Sequence, residues 1–172
     1  AATENGVEFD LIKGKQKVHC KSMLIGVHNI SNILISTAVA DKLGISLNQI
    51  AEAIWELKPV PHRLEIIKNN GVTIIDDTFN ASVEGTAAAI EVLKSFNGGR
   101  KIVVTPGLVE LGHMQNQENY NFGNNMAAVC DRCILIGENQ TQSIYEGLIS
   151  GGFNKDNIIT VNSLDEARGE LL

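Results

Sequence analysis

Val72-Thr73-Ile74-Ile75-Asp76-Asp77-Thr78-Phe79-Asn80-Ala81 is a short strand-forming run that ends in two carboxylates, a hydroxyl and an amide. Helix-like sequence from Glu84 to Phe96 follows directly. A strand leading into a helix is the repeating unit of an open α/β sheet, where ligands bind beyond the carboxyl ends of the strands. Two aspartates at such an end could hold a ribose, a cation or an amine. They could equally start a turn at Asp77 or Thr78 and leave Asp76 in solvent.

Downstream the alternation repeats. Lys101–Thr105, Cys133–Ile136 and Asn157–Val161 read as short apolar strands. Helical patterns fall between them at about Asn116 to Cys130 and near 140–150, and another starts at Ser163. The spacing predicts an α/β fold: a mostly parallel sheet with right-handed crossovers, helices on both faces and Val72–Asp76 as its first parallel strand. The last helical pattern reaches Leu172 without a cap, so the domain is expected to be truncated there.

Upstream, Leu64-Glu65-Ile66-Ile67 and Val72-Thr73-Ile74-Ile75 flank Asn69-Asn70-Gly71, a hairpin-type turn. Pro59 and Pro61 stop the preceding helix, so Lys58 to His62 is the expected boundary between domains 1–60 and 61–172. Within 1–60, Val7, Phe9 and Leu11 alternate with Glu8 and Asp10, and Lys13-Gly14-Lys15 joins two strands over 7–24. Helical periodicity begins at Ile30 and meets a C-cap glycine at Gly44. Ser46 and Gln49 then form a capping box for a second helix.

With 172 residues, 44% of them hydrophobic, the chain can bury one full core and part of another. Its net charge of −6, without basic runs, argues against a general nucleic-acid binder. No apolar run approaches the roughly 20 residues that span a bilayer. The start, Ala1 to Gly6, is polar and unlike a signal peptide, so no membrane partner and a soluble cytoplasmic protein are expected. Cys20, Cys130 and Cys133 are too few for a disulfide framework. Cys130-Asp-Arg-Cys133 has a metal-like spacing, but both thiols fall at element ends and read as small buried residues; no metal ligand is assigned.

Four polar groups fall at element ends. Asn29 and Asn32 share a face at a helix start, where two amides suit the edge of a nucleobase or one of them caps the helix. Arg63, beside His62, can fork onto phosphate or carboxylate, or make a surface salt bridge. Asp76 to Asn80 end one strand, and Thr105 to Gly112 end the next, with Gly107 and Gly112 permitting close backbone approach.

The series Gly26-x-His28-Asn29-x-x-Asn32, a helix pair, Pro61-His62-Arg63-x-Glu65, Asp76-Asp77-x-Phe79-Asn80-Ala81, Ala88-Ala89 and Glu110-Leu111-Gly112 resembles the Mur ligases of peptidoglycan synthesis. The resemblance runs from about Phe9 to Leu172. It is greatest to the members that add D-alanyl-D-alanine to UDP-N-acetylmuramoyl-tripeptide. It implies that 1–60 is the tail of a central ATPase domain and 61–172 most of a Rossmann-like C-terminal domain. It also implies that ATP and Mg2+ are cofactors: ATP phosphorylates a substrate carboxylate, and an amine attacks the acyl phosphate to form an amide. By motif position Asn29 and Asn32 would contact adenine, Arg63 the phosphates and Asp77 the ribose side of the nucleotide. Arg63 and Asp77 are the implied catalytic pair, and Asn80, Gly107 and Glu110 would border the incoming dipeptide. Phe79 departs from the usual Tyr, and Ser82-Val83 from the usual Asn-Pro.

The sequence contains no Gly-x4-Gly-Lys-[Ser/Thr], so the phosphate cradle and most magnesium ligands are expected upstream. The chain alone is expected to ligate nothing. Two other readings remain at this stage: a superfamily ligase with another acceptor, of the diamino-acid, folyl or cyanophycin type, and a non-catalytic nucleotide-binding module.

Overall fold

The computed structural model describes residues 2–3 and 6–171. Ala1, Glu4, Asn5 and the expected helix end at Leu172 lie outside the described residues. The chain packs as two compact units, Ala1–Asn80 and Ala81–Leu172.

In the first unit, β1 (Ala2–Thr3), β2 (Gly6–Lys13) and β3 (Gln16–Ser22) form an antiparallel sheet in that order. The expected alternation holds, since Val7 and Leu11 are buried while Glu8 and Asp10 are exposed. Helices α1 (His28–Lys42) and α2 (Leu47–Trp55) follow, separated by Gly44 at φ 86°. Ser46 accepts from the Gln49 backbone and Gln49 reaches back, which is the expected capping box. Leu11, Cys20, Ile33, Leu47, Ile50 and Ile54 make the core between sheet and helices.

The unit closes with an antiparallel hairpin of β4 (Glu65–Asn69) and β5 (Val72–Asp76). Asn70 at φ 47° and Gly71 at φ 80° make its turn, because both central positions of this tight turn need left-handed backbone. One expectation is corrected here. Strand β5 is not the first strand of the parallel sheet; among the described residues it pairs only with β4, across the Asn-Gly turn.

The second unit holds a parallel sheet of β6 (Ile102–Thr105), β7 (Arg132–Ile136) and β8 (Ile158–Val161). Around it lie α3 (Val83–Ser95), α4 (Gln115–Ala127), α5 (Glu138–Ser150) and α6 (Leu164–Gly169). Side chains along β7 alternate between two covered faces. Cys133 and Leu135 pack with Ile90 of α3, Phe122 and Met126 of α4, and Ile144 and Leu148 of α5. Ile134 turns the other way and packs with Val161 and Ala167 of α6. Helices therefore cover both faces, as the alternating strands and helices imply.

Candidate functional site

The residues before β4 and after β5 are stitched together. His62 and Leu64 adopt left-handed backbone, φ 62° and φ 48°, which non-glycine residues hold only when their surroundings impose it. Here four hydrogen bonds impose it. The His62 ring pairs through Nδ1 with Asp76 Oδ2 at 2.8 Å, and the His62 backbone N–H donates to Glu65 Oε2 at 3.2 Å. The Leu64 N–H donates to Asp77 Oδ1 at 3.1 Å, and the Phe79 N–H to the His62 carbonyl at 3.1 Å. Arg63 is thus held between two constrained neighbours. Its guanidinium carbon lies 4.4 Å from the centroid of the Phe79 ring.

The two aspartates divide the work. Asp76 is the turn residue: its Oδ1 accepts the Thr78 N–H at 3.1 Å and hydroxyl at 2.7 Å. Burial pushes its carboxyl up, but bonds from Thr78 and His62 outweigh this and hold it below the ordinary value. Asp77 spends one oxygen on Leu64, and its other oxygen has no hydrogen-bond partner among the described residues. The Arg63 guanidinium likewise has no carboxylate partner there.

The start of α1 comes close to this turn. Gly26, at φ 88°, is the only residue type that fits its place. A Cβ there would lie 2.5 Å from His28 Cε1 and 3.6 Å from Leu64 Cδ1. His28 is half-buried; burial lowers its pKa, opposed by the nearby charge of Asp77. Its Nδ1 is buried without a partner among the described residues. Asn29 Nδ2 donates to the Ile25 carbonyl at 2.7 Å, and Asn32 Nδ2 reaches Asn29 Oδ1 at 3.4 Å. The two amides do share a face, and neither caps the helix, whose N-cap is Val27.

Asn29, Asn32, Arg63, Asp77 and the exposed Asn80 all belong to the first unit, and Gly107 and Glu110 to the second. Gly107 (φ 85°) and Glu110 (φ 63°) lie in the loop after β6. Asn119, fully buried on α4, holds that loop. Its Oδ1 accepts the Leu108 N–H at 2.8 Å and its Nδ2 donates to the Leu108 carbonyl at 2.9 Å. A Cβ on Gly107 would come within 2.9 Å of Asn119 Oδ1, so the loop glycine serves packing as well as conformation.

The groups left open have part of the chemistry a nucleotide needs, a cation for phosphate and a carboxylate oxygen for ribose hydroxyls, whereas the Asn29 amide is already engaged by Ile25 and Asn32. Magnesium is fitted less well. His62, Glu65 and Asp76 offer ligand atoms within 4.8 Å of one another, but each is already committed to the turn. The three cysteines are free and buried. Contact with Cys130, together with burial, holds the Cys133 thiol well above its ordinary value, so it fills space rather than reacts.

Sequence reasoning passed over His28, His62, Glu65 and Asn119 as site residues. Hairpin register could have found two of them. With Asn70-Gly71 as the turn, Glu65 falls opposite Asp76 and His62 just beyond. The spacing of Leu108 and Asn119 carries no such signal.

His62 tests the stitch. Its hydrogen bond with Asp76 and the charge of that carboxylate raise its pKa above the ordinary value near 6.5. A raised histidine pKa makes the bond's contribution complete below the unfolded value and lost as pH climbs through the folded one. The lowered Asp76 pKa removes it again at acid pH, as the pH falls through the folded carboxyl value. The His62 ring proton, followed by NMR, should titrate above the ordinary histidine value and move back toward it in Asp76→Asn. Equal midpoints in the two proteins would refute the pairing.

A family profile described as "Mur ligase, glutamate ligase domain" matches residues 62–172. The chain is 32% identical over 144 residues to the UDP-N-acetylmuramoylalanine–D-glutamate ligase of Prochlorococcus marinus (strain MIT 9515), covering 83% of this chain and 28% of that protein. It is 33% identical over 140 residues to the UDP-N-acetylmuramoyl-tripeptide–D-alanyl-D-alanine ligase of Escherichia coli (strain K12), covering 79% of this chain and 30% of that protein. A crystal structure of MurF from Acinetobacter baumannii superposes with TM-score 0.86 at 26% identity, over 99% of this chain and 36% of that one. The chain thus spans about a third or less of the relatives it matches. The profile covers more than half of the chain, and the chain belongs to the Mur ligase family.

Proposed function

We propose that this chain is part of an ATP-dependent amide ligase of peptidoglycan precursor synthesis, acting in the cytoplasm on UDP-N-acetylmuramoyl-tripeptide and D-alanyl-D-alanine. In this reading ATP transfers its γ-phosphoryl group to the substrate carboxylate, releasing ADP. The dipeptide amine attacks the resulting acyl phosphate, and the tetrahedral intermediate expels phosphate. The observation that carries the reading is Arg63, a guanidinium held between two constrained neighbours and against the Phe79 ring, with no carboxylate partner among the described residues. Arg63 would take the phosphates, Asp77 the ribose side, and Asn29 with Asn32 the adenine. Asn80, Gly107 and Glu110 would border the dipeptide.

Residues 1–60 would be the end of a central ATPase domain and 61–172 the C-terminal domain. Helix α1 supports a further layer of polypeptide over the first. It exposes Leu34, Ile35 and Val39, and Leu43 at its C-cap is exposed as well, apolar side chains that a further layer would cover. The phosphate cradle and the Mg2+ ligands would come from that polypeptide.

The D-glutamate ligase relative favours a second acceptor, D-glutamate. Assaying the full-length ligase with each amine separates the two, and turnover with D-glutamate but not the dipeptide would refute the first. Asp77→Asn in that ligase should raise the KM for ATP roughly tenfold, the worth of about one charge-assisted hydrogen bond. An unaltered KM would count against its nucleotide role. The 172-residue chain by itself should show no ATP-dependent amide formation, and turnover above background would sink that expectation. Calorimetry on the same chain addresses the non-catalytic alternative, which requires tight ATP binding without any upstream region.

A further inference from the structure

Phe79 is 65% exposed, so burial of its ring does not explain its position. What the ring touches is Arg63, 4.4 Å from centroid to guanidinium carbon. Two hydrogen bonds, Leu64 N–H to Asp77 and Phe79 N–H to the His62 carbonyl, tie the segments carrying these side chains together on either side of the stack. A guanidinium lying over an aromatic face keeps its N–H donors in its own plane, directed past the ring. That geometry suits a bidentate grip on phosphate oxygens. The hydroxyl of the usual family Tyr is absent here, but the ring face is the part that contacts Arg63.

We propose that Phe79 is a positioning residue: its ring holds the Arg63 guanidinium in the orientation that receives the phosphates of ATP. This rests on Arg63 being the phosphate-binding cation. In this role the ring acts only through Arg63, so its effect must vanish when Arg63 is gone.

In the full-length ligase, Phe79→Leu should raise the KM for ATP about two- to fivefold, the strength of an exposed cation–π contact. The KM for the amine substrate should not move. Phe79→Tyr and Phe79→Trp, which keep the ring, should restore the wild-type value. In an Arg63→Ala background, Phe79→Leu should change nothing further. An unchanged or lowered KM for ATP in Phe79→Leu overturns the proposal, as does the same fold-change in both backgrounds. The two levels of inference fail differently. If Arg63→Ala leaves ATP use intact, the phosphate reading falls and this proposal with it; if Arg63→Ala impairs it but Phe79→Leu does not, only the proposal falls. A second measurement needs no catalysis: the Arg63 δ protons of the 172-residue chain should be shifted upfield by the ring and lose that shift in Phe79→Leu. Unshifted protons in the unsubstituted chain would also overturn it.

Discussion

Arg63→Ala in the full-length ligase is expected to lower kcat/KM for ATP about 10²-fold or more, the usual loss when one preorganised donor to developing charge is removed. The guanidinium is preorganised here in a specific sense. His62 and Leu64 on either side are in left-handed backbone, and neither Asp76 nor Asp77 neutralises the charge, because their bonds go to His62, Thr78 and Leu64. Arg63→Lys should recover only part of the loss. An ammonium restores the charge but neither the planar fork nor the stack on Phe79. Steady-state kinetics with ATP varied reads the effect, and a kcat/KM within twofold of wild type in Arg63→Ala would remove the central support of the proposed function.

Gly147→Ala should destabilise the second unit by about 3 kcal/mol or more, a large overpacking effect because the obstruction is backbone on both sides. Helices α4 and α5 cross at a pair of glycines. A Cβ on Gly147 would fall on the Tyr120 carbonyl and lie 3.0 Å from the Asn124 nitrogen. A Cβ on Gly123 would fall on the Ile144 carbonyl and lie 3.0 Å from the Leu148 nitrogen. Neither helix can yield without disturbing Ile144 and Leu148, both fully buried. Gly169 is the control, since a Cβ there meets open space; Gly169→Ala should stay within about 0.5 kcal/mol. Urea unfolding followed by circular dichroism would compare them, and equal midpoints would refute the close crossing.

Much of the fold was legible because local rules and tertiary structure agree. Ser46 and Gln49 cap α2, Asn70-Gly71 turns the β4–β5 hairpin, and the apolar strands β6, β7 and β8 pair in parallel. The Gly123–Gly147 crossing was not legible, because glycine inside a helical pattern reads only as a weak helix former until the partner helix is known. The pairing of β5 with β4 was legible from its turn. The further expectation that Val72–Asp76 also begins the parallel sheet failed, because strand–helix alternation along the chain does not say which strands share a sheet.

For the site, residue types and motif spacing offered Asn29, Asn32, Arg63 and Asp77 as candidates, since charge and donor pattern are properties of single side chains, and the family resemblance implied their nucleotide roles. Tertiary structure alone decided which of the two aspartates is already spent. Asp76 closes the turn with Thr78 and His62, while Asp77 keeps one oxygen open. It alone laid Arg63 on Phe79 and carried His28 to Asp77. The physical reason is that a hydrogen bond or a ring contact depends on where two distant segments meet, and neither residue encodes that meeting by itself.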